Sequence, residues 1–229
     1  MSRRANAAFR CDRCHLHGSL CVCSLIPRIE TRTRVVLVIH RLEDRKPTNT
    51  GRLATECLTN SEVVVRGEEA RPSTELVWGA DAEPVVLFPY PGARPLTDYR
   101  TSQRPVTLVV PDGNWRQASK VYKRVPGLRD VPYVSLPAGL ASHYRLRAEA
   151  HEKGMSTLEA IARALGILEG APVQEALERL FFTMVTRTLW SRGEIGSRQV
   201  IGGIPDGAQR HDPTSGSSPA RVSASHPEE

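Results

Sequence analysis

The sequence predicts an α/β protein: a largely parallel sheet flanked by helices, with a small cysteine-bearing segment in front of it. Three observations carry that reading. Short apolar runs such as "RVVLVIH" (34–40) and "PVTLVVP" (105–111) are rich in β-branched residues and bounded by charge or turn residues, as buried strands are. Segments with helical spacing of apolar residues alternate with these runs, the pattern of parallel strands joined by helices. Four of the five cysteines fall between residues 11 and 23, ahead of the first strand.

Taken in order, "RVVLVIH" is the first strand. "TNTGRLATECLTN" (48–60) reads as a helix with Asn49 or Thr50 as its cap. "EVVVRG" and "EPVVLFPYP" are two more strands, and "PVTLVVP" is a fourth. "NWRQASKVYKRV" looks helical, and "VPYVSLP" is a fifth strand. "STLEAIARALGIL" opens on Ser156-Thr157-Leu158-Glu159, the pattern of a capping box. In "PVQEALERLFFTMVTRTLW", Val173, Leu177, Leu180, Phe181, Met184 and Val185 recur at helical spacing and form one core-facing stripe. From Ile204 onward the chain lacks aromatics and is rich in Ser, Pro and Gly, which fits a disordered tail. The organisation expected is an N-terminal segment over 1–30, a main domain over 31–203 and a tail over 204–229.

A chain of 229 residues with 40% hydrophobic content is long enough for one sizeable core. No apolar run approaches the ~20 residues of a membrane span. The start, "MSRRANAAFRCDRC", has charge but no apolar signal core. A cytoplasmic location away from membranes is therefore expected. The net charge of +6, most of it from Arg, favours a polyanionic partner. No protein partner is inferred.

The cysteines are spaced C-x2-C-x6-C-x-C: Cys11, Cys14, Cys21 and Cys23. A CxxC pair places two thiolates on one tight turn, the usual half-site for tetrahedral zinc. Structural zinc is the reading preferred here. An iron–sulfur cluster would use the same thiolates. Disulfides do not suit a chain without an export signal, and a redox CxxC does not need a second pair beside it. His15 or His17 would be substitute ligands. Cys57 stands alone in a helical pattern and reads as a small buried hydrophobe.

In open parallel sheets ligands bind beyond the carboxyl ends of the strands. Polar and aromatic residues gather at those ends: His40 to Glu43, Phe88-Pro89, Asp112 to Trp115, and Ser135 to Pro137. The chain has no GxGxxG and no P-loop, so ordinary dinucleotide and triphosphate sites lose support.

These stretches are also familiar as a set. "PDGNWRQASK" resembles the signature of the DTW-domain family, Asp-x-Thr/Ser-Trp, with Asn114 in the Thr/Ser position. "HRLEDRKPTNTGRLA" resembles the family's His-x-x-Glu segment and its Asn-Thr-Gly. "LFP", "STLEAIA" and the four cysteines match further family blocks, in the expected order over residues 11–190. The resemblance implies a fold similar to the knotted SPOUT methyltransferases. It implies transfer of the 3-amino-3-carboxypropyl group of S-adenosylmethionine to N3 of a tRNA uridine, with release of methylthioadenosine.

The residue roles expected under that resemblance are these. Asp112 is the base that takes the N3 proton, and Glu159 is the runner-up; alone, each would read as a turn former or cap. Leu87, Phe88, Pro89, Gly113, Trp115, Leu136, Ser156 and Thr157 line the S-adenosylmethionine pocket together with Asp112. Trp115 either stacks on a base or packs between helix and sheet. His40 and Glu43 contact RNA or serve structure. Arg116, Lys120, Lys123, Arg145 and Arg147 face tRNA phosphates. Two competing functions remain: a SPOUT-type RNA methyltransferase and a non-enzymatic zinc-ribbon RNA-binding adaptor.

Overall fold

The computed structural model describes residues 9–44, 46, 49–68, 73–138 and 155–210. Its strands are β1 (Arg34–His40), β2 (Ser61–Arg66), β3 (Glu83–Leu87), β4 (Arg94–Pro95), β5 (Val106–Asp112) and β6 (Tyr133–Ser135). They form one sheet in the order β2-β1-β5-β3-β6-β4, and every neighbouring pair is parallel. The expected α/β class with a parallel sheet is what the chain adopts. The knot implied by the resemblance depends on the path of residues 139–154, which lie outside the described residues.

The sheet is covered on both faces, as a parallel sheet must be. In β1, Val35, Leu37 and Ile39 join the core cluster built on one face, whereas Val36 and Val38 join the cluster on the other. The alternation is the two-residue period of a strand. β5 is central, and all seven of its residues are buried. The larger cluster lies under α2 (Gly51–Cys57), α5 (Thr157–Leu168) and α6 (Ala171–Ser191). Leu177, Phe181 and Met184 supply the α6 stripe expected from spacing. Burial of each such side chain stabilises the fold by roughly 1.5–3 kcal/mol. The second cluster lies under α3 (Trp115–Ala118) and α4 (Val121–Arg124), through Ala118, Val121 and Val125.

Three details differ from the reading by pattern. The segment 48–60 holds a shorter helix, α2, and one more helical turn, α1 (Arg41–Asp44), follows β1 directly. "NWRQASKVYKRV" is two one-turn helices, α3 and α4, rather than one helix. The edge strand β4 is only two residues long.

Residues 9–30 do not stand apart. Cys14, Leu16 and Val22 belong to the larger core cluster, and Ile29 bridges Leu58 at the end of α2. Leu20 is buried with Trp190 and Val200, against which Ile204 and Ala208 also pack. The buried Arg187 of α6 clasps these pieces together. It donates to the carbonyls of Cys21 (2.6 Å), Gly203 (2.9 Å) and Gly202 (3.2 Å). Packing thus runs across residue 30, and it continues past 204, where the tail was expected to begin. Residues 211–229 lie outside the described residues.

Candidate active site

The carboxyl ends of β1, β5, β3 and β6 lie side by side, so the residues expected at separate strand ends form one row. Asp112 is the last residue of β5 and is paired in register with Ile39, one residue before His40. It is 6% exposed. Its two oxygens accept from side chains far away in sequence. Asn49 Nδ2 donates to Oδ2 at 2.6 Å, and Thr157 Oγ1 donates to Oδ1 at 2.7 Å. Both carboxylate oxygens are thus held in place by side chains from other elements.

Both partners sit at helix starts. Asn49 also accepts from the backbone N–H of Arg52 at 3.1 Å, holding the first turn of α2. Thr157 is the first residue of α5, whose cap is Ser156. Between them Thr50 Oγ1 accepts from the backbone N–H of Leu158 at 3.2 Å. The Asn-Thr-Gly stretch therefore sews β5, α2 and α5 into one corner. Gly51 is required there by close approach: a Cβ would lie 2.6 Å from Asp112 Oδ2 and 3.0 Å from Leu37 Cδ1.

Glu159 forms the capping box that the sequence suggested. Its Oε2 accepts from the Ser156 N–H and hydroxyl, each at 3.1 Å, and its Oε1 lies 3.9 Å from Arg163. At 2% exposure it sits within the fold, and the cap is the role this geometry displays. The hydroxyls of Ser156 and Thr157 are likewise engaged, by Glu159 and Asp112.

Beyond β5, Asn114 caps α3. Its Oδ1 accepts from the Gln117 N–H at 2.9 Å, and Gln117 Oε1 accepts from the Asn114 N–H at 2.9 Å. Asn114 thus does the capping that Thr or Ser does well at the same position. A Cβ on Gly113 would meet Gln117 Oε1 at 2.8 Å, so glycine there permits the reciprocal cap. The cap aims Trp115 outward. It is 39% exposed and lies against Phe88, with ring centroids 4.8 Å apart. Leu87 and Phe88 are buried at the end of β3, Pro89 is exposed, and Leu136 is half-buried just past β6. Of the expected RNA contacts, Arg116, Lys120 and Lys123 are exposed on α3, α4 and the link between them. Arg145 and Arg147 lie outside the described residues. His40 is half-buried, and its Nδ1 accepts from the Leu42 N–H at 3.2 Å. Glu43 is buried and ion-paired with Lys46, an internal placement.

One residue of this corner had no sequence signal. Arg66, at the end of β2, is 6% exposed and donates to the Gln117 carbonyl at 2.7 Å, while its Nε has no partner. It ties the far edge of the sheet to the helix that carries Trp115.

The four cysteines meet. Their sulfurs all lie within 4.8 Å of one another, with Cys11–Cys23 at 3.4 Å and Cys14–Cys21 at 3.8 Å. Tetrahedral zinc with bonds of ~2.3 Å sets sulfurs about 3.7 Å apart, so the donor set fits a four-thiolate ion. His15 turns through a positive φ of 60° to close the CxxC loop. Burial raises the Cys11 thiol, but backbone N–H groups of Cys14 and Arg13, with the neighbouring thiols, outweigh it and bring it to about 7. His17 is engaged with Ser19 (2.8 Å) rather than with the thiols. Arg13 is ion-paired with Glu56 of α2 (2.6 Å). Burial pushes the Cys57 thiol up to about 12, as suits an inert core cysteine.

The DTW domain model matches residues 8–189, from the cysteines to the end of α6. The chain belongs to the DTW domain family. Among curated relatives it is 28% identical over 187 residues to tRNA-uridine aminocarboxypropyltransferase 2 of Drosophila melanogaster, covering 78% of this chain and 74% of that one. It is 28% identical over 179 residues to the enzyme of the same name from Macaca fascicularis, covering 74% of this chain but only 60% of that one. It is 26% identical over 206 residues to tRNA-uridine aminocarboxypropyltransferase A of Arabidopsis thaliana, covering 76% and 77%. A solved structure, the SAM-dependent rRNA:acp-transferase Tsr3 from Vulcanisaeta distributa, overlays with a TM-score of 0.45 at 19% identity, over 75% of this chain and 85% of that one. That overlay is too loose to bear on the reaction. Among the described residues no helix is long and apolar enough to cross a membrane.

Proposed function

We propose that this DTW-family protein transfers the 3-amino-3-carboxypropyl group of S-adenosylmethionine to N3 of a tRNA uridine and releases methylthioadenosine. The observation that carries the reading is the placement of Asp112. It is a buried carboxylate at the end of the central strand, oriented by Asn49 and Thr157 from two helix starts, and flanked by the exposed Trp115. The curated relatives are named tRNA-uridine aminocarboxypropyltransferases.

The reaction asks little of the protein beyond proton removal and alignment. Uridine N3 gives up its proton to the base. The freed nitrogen pair attacks the terminal carbon of the aminocarboxypropyl chain, and the carbon–sulfur bond breaks toward sulfur. The sulfonium becomes a neutral thioether, so charge balances with no metal at the reacting atoms. A carboxylate offers about four lone-pair positions, of which Asn49 and Thr157 each engage one. The proton from N3 would go to this carboxylate. Asn49 and Thr157 keep the carboxylate from turning away, which serves alignment. Trp115 supplies a ring face for uracil or adenine, and Leu87, Phe88, Pro89, Gly113 and Leu136 shape the wall beside it. Arg116, Lys120 and Lys123 hold tRNA phosphates. The cysteine site would hold zinc in a closed, structural role.

A specific observation favours a second role for Asp112: both of its oxygens already accept hydrogen bonds, so it would position Asn49 and Thr157 without itself taking the proton. The test of function is nucleoside mass spectrometry of tRNA from cells with the gene, without it, and with Asp112→Asn. The modified uridine should be present only with the intact gene. An unchanged level in its absence would overturn the assignment.

A further inference from the structure

Next to the strand-end row lies a group of aromatic side chains that the reaction described above does not use. Three of the five tyrosines of this aromatic-poor chain stand ring against ring. Tyr90 and Tyr133 have centroids 4.9 Å apart, Tyr90 and Tyr122 are 5.9 Å apart, and Tyr122 and Tyr133 are 6.3 Å apart. Tyr122 belongs to α4 and Tyr133 to β6. Both pack partly on the second core cluster, but Tyr90 belongs to no core cluster and is 36% exposed. A tight turn, with the Tyr90 N–H donating to the Phe88 carbonyl at 2.7 Å, places Tyr90 two residues past the Phe88 that packs on Trp115. Aromatic surface therefore extends from the site outward.

The helical stretch that carries Tyr122 is basic. From Gly113 to Arg129 the chain carries five Lys or Arg and no Asp or Glu, with Asp130 following. The Lys123 ammonium lies 5.4 Å from the centre of the Tyr122 ring, and Arg124 beside it is exposed. A cluster that served packing alone would bury Tyr90 and would not need this basic rim. Aromatic faces bordered by cations match an unpaired nucleotide: its base stacks and its phosphate is neutralised.

We propose that Tyr90, Tyr122 and Tyr133, with Lys123, form a second RNA subsite, a stacking platform for an unpaired base that neighbours the target uridine. This deepens the functional reading and rests on tRNA being the substrate. The platform fixes the RNA strand beside the site, so that the target base enters next to Trp115. A protein partner is the competing occupant, and it would leave tRNA affinity untouched.

The experiment measures binding of an unmodified tRNA transcript to the full chain by fluorescence anisotropy at several salt concentrations. Variants are Tyr90→Ala, Tyr90→Leu, Tyr90→Phe and Lys123→Ala. Loss of one stacked base should weaken binding about 5- to 150-fold in the Ala and Leu variants. Tyr90→Phe should bind within about threefold of the parent, because the ring face survives. Tyr90→Leu guards against a folding artefact, since it keeps apolar cover without a ring. Lys123→Ala should reduce the salt slope by about 0.7–0.9, and the tyrosine variants should leave it unchanged. Parent-like tRNA affinity in Tyr90→Ala and Tyr90→Leu overturns the platform and leaves the enzymatic reading standing. A Tyr90→Phe variant as weak as Tyr90→Ala also overturns it, since the hydroxyl would then be the contact. A parent chain that binds no tRNA overturns the platform and the functional reading together.

Discussion

Replacing Asp112 with asparagine separates two jobs that the carboxylate would perform at once. An asparagine side chain has nearly the same shape. Its oxygen can accept from Asn49 Nδ2, which now donates at 2.6 Å. Its amide can donate to Thr157 Oγ1, whose hydroxyl now donates at 2.7 Å but is equally able to accept. The corner survives with one bond reversed. Two charge-assisted bonds worth roughly 1.5–3 kcal/mol each become neutral bonds worth about 0.5–1.5 each. Part of that loss is offset because a buried charge is removed, so about 1–3 kcal/mol of stability should go. Alanine is harsher, since it strands two donors at about 1–3 kcal/mol apiece. The catalytic effect is separate: removal of a general base costs about 10²–10⁴ in rate. The assay is single-turnover transfer with saturating S-adenosylmethionine and tRNA, run beside urea denaturation of the same samples. Asp112→Asn should fold, melt slightly early and lose at least a hundredfold in rate. An asparagine variant keeping more than a tenth of the parent rate would refute the base and leave Asp112 as a positioning residue. An asparagine variant as unstable as the alanine one would refute the reversal of the Thr157 bond.

Three further outcomes follow from the same geometry. Gly51→Ala places a Cβ 2.6 Å from Asp112 Oδ2, so α2 or the carboxylate must shift, and turnover measured at saturating substrates should fall about a hundredfold. If the four cysteines hold zinc, chelation, or Cys14→Ser, should lower the melting temperature by many degrees in scanning calorimetry, since structural zinc binds small finger peptides with about 10–16 kcal/mol. Here the loosened segment would also release the Leu20–Trp190–Val200 cluster and the Arg187 clasp. Burial, with Arg66 and Arg41 beside it, holds the His40 imidazole below its usual range. As pH falls through about 6.5 the unfolded chain takes up a proton that the folded one resists, so stability is lost on the acid side and unaffected above. His40→Gln should flatten the acid limb of melting temperature against pH; an unchanged limb would contradict that origin.

The strands were legible because burial on both faces demands continuous apolar runs, as in Val35–Ile39 and Leu108–Val110. The α5 cap was legible because Ser156 and Glu159 bond within four residues. Longer-range pairings were not. Asn49 reads locally as a helix cap, and nothing near it points to a carboxylate 63 residues away. Arg66 carries no local signal, yet it is buried against Gln117, 51 residues on. Residues 115–124 read as one helix because Ala118 and Val121 keep helical spacing. The chain breaks at Ser119–Lys120 nonetheless, and no residue there marks the break. Of the expected site residues, Thr157 reaches Asp112 and Trp115 lies against Phe88, while Glu159 and Glu43 make contacts inside the fold.

The most direct measurement is the identity of the small molecule left after one turnover. Purified protein, S-adenosylmethionine and unmodified tRNA are mixed, and the quenched supernatant is resolved by mass spectrometry. Methylthioadenosine should appear in step with modified uridine, one for one. Adenosylhomocysteine in its place would mean methyl transfer, and neither product above the Asp112→Asn background would contradict aminocarboxypropyl transfer at this site altogether.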